Sequence, residues 1–477
     1  MSLLRLRTEN LHEVAIDGRR LLFHVPTTSL FDLDAVGCDL LGSLREREHV
    51  DGAELVAALA GRHGGDAVVE ALDEFRRLDL VESEGASRPT RPPPPFPEDG
   101  LTSLVLNVTT GCNLGCTYCY KQDLTTAAAA ERIEIDTARA AIDLLLAKSG
   151  RRHRVNLTFF GGEPLSNLPL IRTAVAYAKQ AGMAAGKLVD FSLTTNATLL
   201  TEEIVDWLDA HHFGLTVSLD GPQAVHDRNR RTIGGQGTYE VVVAKARMLL
   251  GRYASRPVGA RVTLTAGITD VVGIHHHLKN ELGFAEVGFA PVTAGLPDGF
   301  RLNETETRAV FDGLRALALD YRDAAMAGRD IGFSNMAQLL NALHQGTGKL
   351  VPCGAGANLL SVDTRGDIHL CHRFVGSDLP TFGSVATGID RPGLNDFLRR
   401  ALARAEDFCG HCRARHLCAG GCYHEAWSRH GDPLLPVDHY CDLMRDWVDL
   451  GIALYGEISA ANSDFFNRHP ERGSPST

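Results

Sequence analysis

Ten of the eleven cysteines in this 477-residue chain fall into two groups, and this grouping limits the possible folds more than any other feature. Cys112, Cys116 and Cys119 form the first group, and seven more cysteines lie beyond residue 350. In a reducing compartment, cysteines grouped in this way hold metal more often than they form disulfides. The sequence therefore predicts two metal-organised regions, whereas the isolated Cys38 is expected to be a small buried apolar side chain.

The composition is that of an ordinary globular protein with an acidic surface. Hydrophobic residues make up 44% of the chain, and 48 basic against 59 acidic side chains give a net charge of −11. This charge argues against nucleic-acid or anionic-membrane partners, both of which need a basic face. No run of about 18 apolar residues could span a bilayer, and the first residues, MSLLRLRTENLHEV, turn polar too early for a signal peptide. We therefore expect a cytoplasmic protein.

A proline-rich stretch divides the chain. Residues 87–99 contain PTRPPPPFP, which predicts a stiff linker because proline fixes φ and removes a hydrogen-bond donor. The preceding module, residues 1–86, has alternating strand patterns followed by three helical stretches near 34–44, 52–61 and 66–78. This order predicts a small winged-helix-like unit, with a generic β-plus-helix domain as the alternative.

Residues 100–300 alternate strand and helix patterns, which predicts an α/β fold with a parallel sheet. The apolar or β-rich runs are 103–109, 154–160, 188–195, 213–220, 259–265 and 285–291. Six units rather than eight predict a partial (β/α)6 barrel, whose chemistry gathers at the carboxyl ends of the strands. A helical bridge (301–349), a cysteine-rich domain (350–462) and a polar tail (463–477) are expected to follow.

The first cysteine group stands directly after the first of these strands, in GCNLGCTYCY. Three residues separate Cys112 from Cys116, and two separate Cys116 from Cys119. Three thiolates on one loop can hold three irons of a [4Fe–4S] cluster and leave the fourth iron open for substrate chemistry. Zinc is the alternative, although it needs four nitrogen or sulfur ligands and no fourth cysteine is near.

This spacing, with Tyr118 before the third cysteine, resembles the radical S-adenosylmethionine (SAM) superfamily. The resemblance continues at the next strand ends in GGEP, TN, SLDGP and HDRNRR, and it implies a set of SAM-contacting positions: Tyr118, Gly161, Gly162, Glu163, Thr195, Asn196, Ser218, Asp220 and Arg230. The GGEP motif would meet the SAM amino group, while TN and SLDGP would line the ribose and methionine portions. Arg230 would pair with the methionine carboxylate as a planar fork, and Arg261 competes for that role.

The resemblance also implies the reaction. In this superfamily, one electron from the reduced cluster cleaves SAM into methionine and a 5′-deoxyadenosyl radical, which removes a hydrogen atom from an unactivated carbon. The catalytic positions would be Cys112, Cys116 and Cys119. A flavodoxin or ferredoxin would supply the electron.

The downstream cysteines resemble the SPASM domain, an iron–sulfur extension of peptide-modifying radical SAM enzymes, through CGHCRARHLCAGGC and its flanking cysteines. The resemblance implies two auxiliary [4Fe–4S] clusters, and hence three clusters in all. The first would be held by Cys353, Cys371 and Cys422, and the second by the remaining set: Cys409, Cys412, Cys418 and Cys441. A zinc ribbon is the alternative.

Two departures from the SPASM pattern affect function. The first auxiliary cluster is one cysteine short, which predicts an open iron or a non-cysteine ligand such as His372 or the substrate. In sulfatase-maturing relatives, an Asp follows the position of Cys371 as the base, whereas His372 and Arg373 stand here. This difference puts sulfatase maturation in doubt, although a histidine can accept a proton.

The front module resembles the element that binds a leader peptide as an added strand. The overall arrangement is most similar to the quinohemoprotein amine dehydrogenase maturation enzymes, which join a cysteine sulfur to the methylene carbon of an Asp or Glu. The expected partner is a small cysteine-containing polypeptide, such as the amine dehydrogenase small subunit. The alternatives are other SPASM modifications (sactipeptide formation, carbon–carbon crosslinking, sulfatase-type oxidation) and a non-enzymatic metal-bound peptide scaffold.

Overall fold

The computed structural model describes residues 3–16, 18–83, 96–120, 130–293 and 299–468. Most of the predicted linker, from 87 to 95, and the end of the predicted tail, from 469 to 477, lie outside the described residues. The described residues contain sixteen strands and sixteen α-helices. None of these helices combines the length and apolar character needed to cross a membrane.

The front region contains six short strands and three helices. They are β1 (Leu3–Leu6), β2 (Leu11–Ile16), β3 (Arg19–His24), β4 (Ser29–Asp32), α1 (Ala35–Arg45), β5 (Val50–Asp51), α2 (Gly52–His63), α3 (Gly65–Arg77) and β6 (Val81–Ser83). The strands form two antiparallel sheets, with orders β5-β1-β6 and β2-β3-β4. Asp34 and Asp51 cap α1 and α2 by accepting bonds from backbone N–H groups of the first turns.

Two hydrophobic cores meet at β3. Leu22 packs with the small core formed by α1–α3 and the β5-β1-β6 sheet. Its neighbour Phe23 points the other way and belongs to the main core of the protein. Successive side chains of a strand face opposite sides, so β3 serves both cores. The β2-β3-β4 sheet therefore connects the front helices to the body of the molecule.

The central sheet contains the six predicted parallel strands in sequence order. They are β7 (Ser103–Thr109), β8 (Arg154–Gly161), β9 (Leu188–Thr195), β10 (Gly214–Ser218), β11 (Val258–Leu264) and β12 (Glu286–Pro291). Each pairs in parallel with its neighbour, in the order β12-β11-β10-β9-β8-β7. The predicted α/β fold is confirmed.

Helices cover the outer face of this sheet. They are α4 (Ile135–Ala147), α5 (Leu168–Ala184), α6 (Glu202–Ala210), α7 (Gln223–Asn229), α8 (Tyr239–Arg252) and α9 (Val271–His276). Phe159, Phe191 and Phe213 stack in this outer core, with ring centroids 5.5–6.3 Å apart. The inner face is polar, as shown by Thr158, whose hydroxyl lies 2.8 Å from that of Ser192.

The chain then adds two helices and the cysteine-rich region. These elements are α10 (Glu304–Met326), α11 (Ser334–Gln345), β13 (Leu359–Val362), β14 (Ile368–His369), β15 (Gly383–Ser384), β16 (Gly388–Ile389), α12 (Arg391–Cys409), α13 (Arg415–Cys418), α14 (Tyr423–His430), α15 (Cys441–Ala461) and α16 (Phe465–Arg468). Strand β13 pairs in parallel with β7, and β14 pairs antiparallel with β13. The cysteine-rich region therefore extends the central sheet, a connection that the sequence did not predict.

A buried hydrogen-bond group fastens β13 to β7. The Asn107 side chain donates to the Ser361 hydroxyl at 2.7 Å and to the Val362 carbonyl at 3.2 Å. The Ser361 hydroxyl in turn donates to the Val105 carbonyl at 3.1 Å. Because these groups are shielded from water, losing one partner would leave another unsatisfied.

We expect Phe213→Ala to destabilise the protein by about 3–5 kcal/mol, because it removes one ring of the stacked outer core and leaves a cavity. Phe213 is fully buried, whereas Phe408 is 65% exposed. Thermal unfolding followed by circular dichroism measures the change, with Phe408→Ala as the matched control. Equal unfolding midpoints for the two variants would contradict this account of the core.

Candidate active site

The first cysteine loop follows β7 and rests on the end of α7. Backbone N–H groups of Gly115 and Thr117 donate to the carbonyls of Arg231 and Asn229, at 2.8 and 3.0 Å. The Thr117 hydroxyl also donates to the Asn229 side chain at 2.9 Å. The HDRNRR segment thus shapes the loop that carries the three cysteines.

The GGEP turn lies against the same loop, backbone to backbone. The N–H groups of Gly162 and Glu163 donate to the carbonyls of Thr109 and Gly111, at 2.9 and 3.0 Å. A Cβ on Gly162 would stand 2.1 Å from the Gly111 oxygen, and one on Gly161 would stand 2.3 Å from the Thr109 oxygen. Gly161 also has φ +147, which side chains rarely allow. The glycines therefore permit close approach to the cysteine loop itself.

Glu163 joins this turn to the end of β9. Its carboxylate is 1% exposed and accepts bonds from the Thr195 hydroxyl at 2.7 Å, the Asn196 N–H at 2.8 Å and the Leu165 N–H at 3.1 Å. Burial raises the pKa of Glu163, although these bonds oppose the shift. The structure thus brings together the predicted residues Glu163, Thr195 and Asn196, but the Glu163 carboxylate is already engaged within the protein.

Asn196 extends the contact to the cysteines. Its side-chain N–H₂ donates to Asn113 at 2.9 Å and lies 3.8 Å from the Cys112 sulfur. Cys112 is exposed, while Cys116 and Cys119 are partly buried. A donor beside a thiolate favours its charged form, so Asn196 suits a metal-bound sulfur at Cys112.

The three thiols lie close enough to influence one another. Burial raises the pKa of Cys116 to about 11, and the charges of Cys119 and Cys112 act in the same direction. All three are free thiols on one loop. This donor set fits a cluster that takes three protein thiolates.

A buried ion pair stands beside the loop. The Tyr118 hydroxyl and the Arg230 Nε both donate to Oδ2 of Asp220, at 2.6 and 3.0 Å, while the Thr263 N–H donates to Oδ1 at 3.0 Å. The Arg230 guanidinium lies 5.4 Å from the centre of the Tyr118 ring. Burial alone would lower the pKa of Arg230, but the Asp220 charge and hydrogen bond, together with Tyr118 and Cys116, raise it above its usual value.

The ion pair with Asp220 leaves the two terminal amino groups of Arg230 free to bind a ligand. Among the described residues, Nε is its hydrogen-bonding atom and the two terminal amino groups have no acceptor. Ser218, at the end of β10, is register partner of Arg261 on β11. The structure therefore brings Tyr118, Asp220 and Arg230 together, with Ser218 at the end of β10 and Arg261 in the middle of β11.

The seven downstream cysteines separate into two sets in space. Burial raises the pKa of Cys371 to about 12, and the neighbouring thiols Cys422 and Cys353 add to the shift. Burial likewise raises the pKa of Cys418 to about 11, where the neighbouring thiols are Cys441, Cys409 and Cys412. The structure thus brings together a set of three and a set of four.

Within the described ranges, no three His, Cys, Asp or Glu side chains converge tightly enough to hold a single metal ion. A four-iron cluster requires a different arrangement, with one thiolate at each ligated iron corner. The grouping of the thiols into three, three and four fits that requirement.

An aromatic layer joins the first cysteine loop to the set of three. Burial raises the pKa of Tyr120, and the charges of Cys119 and Cys371 both add to the shift, so the Tyr120 hydroxyl lies near both cysteines. The His372 ring packs on Phe160 with centroids 4.3 Å apart, and His424 lies 5.6 Å from Tyr120. Sequence reasoning missed this layer, although Tyr120 directly follows the third cysteine and Phe160 directly precedes GGEP.

Comparison with known proteins agrees with this geometry. A family model described as the Radical SAM superfamily matches residues 106–270. The serine-type anaerobic sulfatase-maturating enzyme of Bacteroides thetaiotaomicron is 31% identical over 156 residues, covering 31% of this chain and 36% of that enzyme. The chain therefore spans little more than a third of this curated relative.

Two solved structures share the fold. One is "anSMEcpe with bound AdoMet and Cp18Cys peptide", with a TM-score of 0.63 and 20% identity over 76% of this chain and 99% of that one. The other is Streptococcus suis SuiB bound to precursor peptide SuiA, with a TM-score of 0.51 and 13% identity over 92% of this chain and 99% of that one.

The chain carries a radical SAM domain. Such a domain implies a [4Fe–4S] cluster and SAM, and the relatives include peptide-modifying maturases.

We expect Gly162→Ala to displace the cysteine loop, because the added methyl group would overlap the Gly111 carbonyl. Anaerobic reconstitution should then give less iron per chain and a weaker effect of SAM on the electron paramagnetic resonance spectrum of the reduced protein. Gly251→Ala on α8 is the control, since its Cβ meets no atom within 4 Å. A wild-type spectrum from Gly162→Ala would refute this role.

Asp220→Asn should lower the free energy of unfolding by about 3–5 kcal/mol, because it leaves the buried Arg230 charge uncompensated. SAM affinity should fall as well, since Arg230 loses its fixed position. Thermal unfolding and equilibrium dialysis with SAM measure the two effects. Asp206→Asn, which breaks an exposed pair with Arg252, is the comparison and should leave both unchanged. Retention of both properties in Asp220→Asn would rule out the positioning role.

Proposed function

We propose that the protein is a radical SAM peptide maturase that links a cysteine sulfur to a carbon of an Asp or Glu residue in a small polypeptide. The observation that carries this proposal is the set of three cysteines beside the radical SAM loop, with Tyr120 near both Cys119 and Cys371. Three thiolates leave one iron of a four-iron cluster without a protein ligand. A substrate thiolate could bind there, next to the site where the radical forms.

The proposed ligands follow the three spatial sets. Cys112, Cys116 and Cys119 would hold the SAM-binding cluster. The auxiliary clusters of a SPASM domain would use the other two sets: Cys353, Cys371 and Cys422 for the first, and Cys409, Cys412, Cys418 and Cys441 for the second.

With these groups bound, SAM and its cluster would supply a 5′-deoxyadenosyl radical that takes a hydrogen atom from the peptide carbon, and an auxiliary cluster would accept the one electron released when that carbon joins the thiolate sulfur. The chain's own residues would orient the reactants. Asp220 would hold Arg230 so that its terminal amino groups can bind the SAM carboxylate. Ser218, Thr195 and Asn196 would line the rest of SAM.

The set of groups near Cys371 disfavours sulfatase-type oxidation. That alternative is supported by the Bacteroides relative, which is named a sulfatase-maturating enzyme. Here, however, His372 and Arg373 follow Cys371, and the His372 ring packs on Phe160. The experiment below separates the two reactions.

The front region would bind the leader of the polypeptide. Strand β4 lies at the edge of the β2-β3-β4 sheet and is only partly covered, so its outer backbone groups suit an added strand. The similarity to SuiB bound to its precursor peptide covers 92% of this chain, which is too much to leave out the whole front region. A flavodoxin or ferredoxin would reduce the clusters, in a cytoplasmic location that keeps thiols reduced.

Co-expression with the small cysteine-containing polypeptide encoded beside this gene should yield a product that has lost about two hydrogens per crosslink and whose cysteines resist alkylation. Mass spectrometry measures both changes. Cys371→Ser should abolish the crosslink while SAM cleavage to 5′-deoxyadenosine continues, and Cys38→Ser is the control.

Three results would overturn the proposal. A modified product with free thiols would indicate side-chain oxidation, and a product whose cysteines are spared while two carbons are joined would indicate carbon–carbon crosslinking. No 5′-deoxyadenosine under reducing anaerobic conditions would indicate a scaffold without catalysis.

A further inference from the structure

Arg261 lies on the polar inner face of the sheet, close to the candidate active site. On β11, Ala260 and Val262 are buried in the hydrophobic core, so Arg261 between them faces the opposite side. Its register partner on β12 is Gly288. A Cβ on Gly288 would stand 3.2 Å from the Arg261 guanidinium, so the glycine leaves room for this side chain to cross β12.

Arg261 has no anionic partner in the part of the chain that the structure describes. Desolvation and the nearby charge of Arg373 together lower the pKa of Arg261 to about 10. Arg230, by contrast, is neutralised by Asp220. A desolvated cation that faces a second cation is unfavourable, and a bound anion would relieve this repulsion.

Arg373 approaches from the cysteine-rich region. Its guanidinium donates to the Thr293 hydroxyl and lies 5.3 Å from the centre of the Tyr120 ring. Glu425 also feels the Arg373 charge, but its carboxylate accepts a bond from Arg429 Nε at 3.2 Å. Arg373 beside Thr293 and Arg261 beside Gly288 thus lie along the same stretch of chain, close enough for their charges to interact. Arg373 makes no hydrogen bond to a carboxylate of the described residues.

We propose that Arg261 and Arg373 together bind the side-chain carboxylate of the acidic substrate residue. This inference rests on the proposed function and adds the groups that select Asp or Glu. Two guanidinium groups offer paired N–H donors that match the two oxygens of a carboxylate. The neutral amides Asn and Gln would leave both cations uncompensated and are therefore rejected.

The position of the pair favours the peptide over SAM as the source of the carboxylate. Arg230 stands on the side of the first cysteine loop, stacked over Tyr118. Arg373 belongs to the segment that follows Cys371 and lies over the Tyr120 ring. A carboxylate held by Arg261 and Arg373 would lie toward the auxiliary cysteines, where the proposed sulfur of the peptide binds.

The test uses two small probes, glutarate and its neutral diamide glutaramide, with the full chain carrying its clusters and saturated with SAM. Isothermal titration should show that the wild type binds glutarate more tightly than glutaramide. Arg261→Met and Arg373→Met should each weaken glutarate binding roughly ten- to a hundred-fold, because a charge-assisted bond is lost. Arg261→Lys should retain an intermediate affinity, because it keeps the charge without the planar fork.

Arg247→Met, at an exposed position on α8, is the matched control and should bind glutarate as the wild type does. Iron content and circular dichroism show whether each variant is folded and carries its clusters. If Arg261→Met does not fold, Arg261→Lys takes its place as the test variant. SAM affinity is measured in parallel, without glutarate. It should be unchanged in the Arg261 variants.

Two outcomes would overturn the inference. Unchanged glutarate binding in Arg261→Met and Arg373→Met would show that the two arginines do not form a carboxylate site. A loss of SAM affinity in the Arg261 variants with unchanged glutarate binding would show that Arg261 binds SAM. The co-expression experiment tests the proposed function separately. A wild type that crosslinks its polypeptide without preferring glutarate would reject only the arginine pair, whereas selective glutarate binding without any crosslink would reject only the thioether reaction.

Discussion

The candidate site depends on one contact between two backbones, at a place where no side chain fits. The turn at Gly161 and Gly162 lies directly on the loop that carries the first three cysteines, and two N–H···O bonds fix their spacing. Glu163 then links this turn to the end of β9. Three strand ends are therefore held as one unit before any cofactor binds, which reduces the reorganisation that binding requires.

Charge divides the interior into two sides. On the side of the first cysteine loop, Asp220 neutralises Arg230 and receives the Tyr118 hydroxyl. On the side of the cysteine-rich region, Arg261 and Arg373 have no comparable partner among the described residues. Two separate cationic positions suit the two carboxylates that the proposed function requires, one from SAM and one from the peptide.

The sequence predicted the central sheet well because its strands are continuous apolar or β-branched runs separated by helices of regular period. It could not predict β13 and β14, since four- and two-residue strands carry no periodic signal. The cysteine spacing pointed to sets of residues that the fold does bring together. The partners of those residues were hidden, because whether Arg230 meets Asp220 or a ligand depends on side-chain directions that a linear motif does not encode. Tyr120 was missed for the same reason.

The sheet continuity between β7 and β13 has a mechanical consequence. The two cysteine-bearing regions are joined by ladder hydrogen bonds and by the buried Asn107–Ser361 contact. These bonds make the connection rigid where a flexible hinge would let the regions move apart. The distance between the two cysteine-bearing regions is therefore fixed. Under the proposed function, a polypeptide with several modification points would then pass between these regions one point at a time, and their fixed separation would limit the number of residues enclosed by each crosslinked loop.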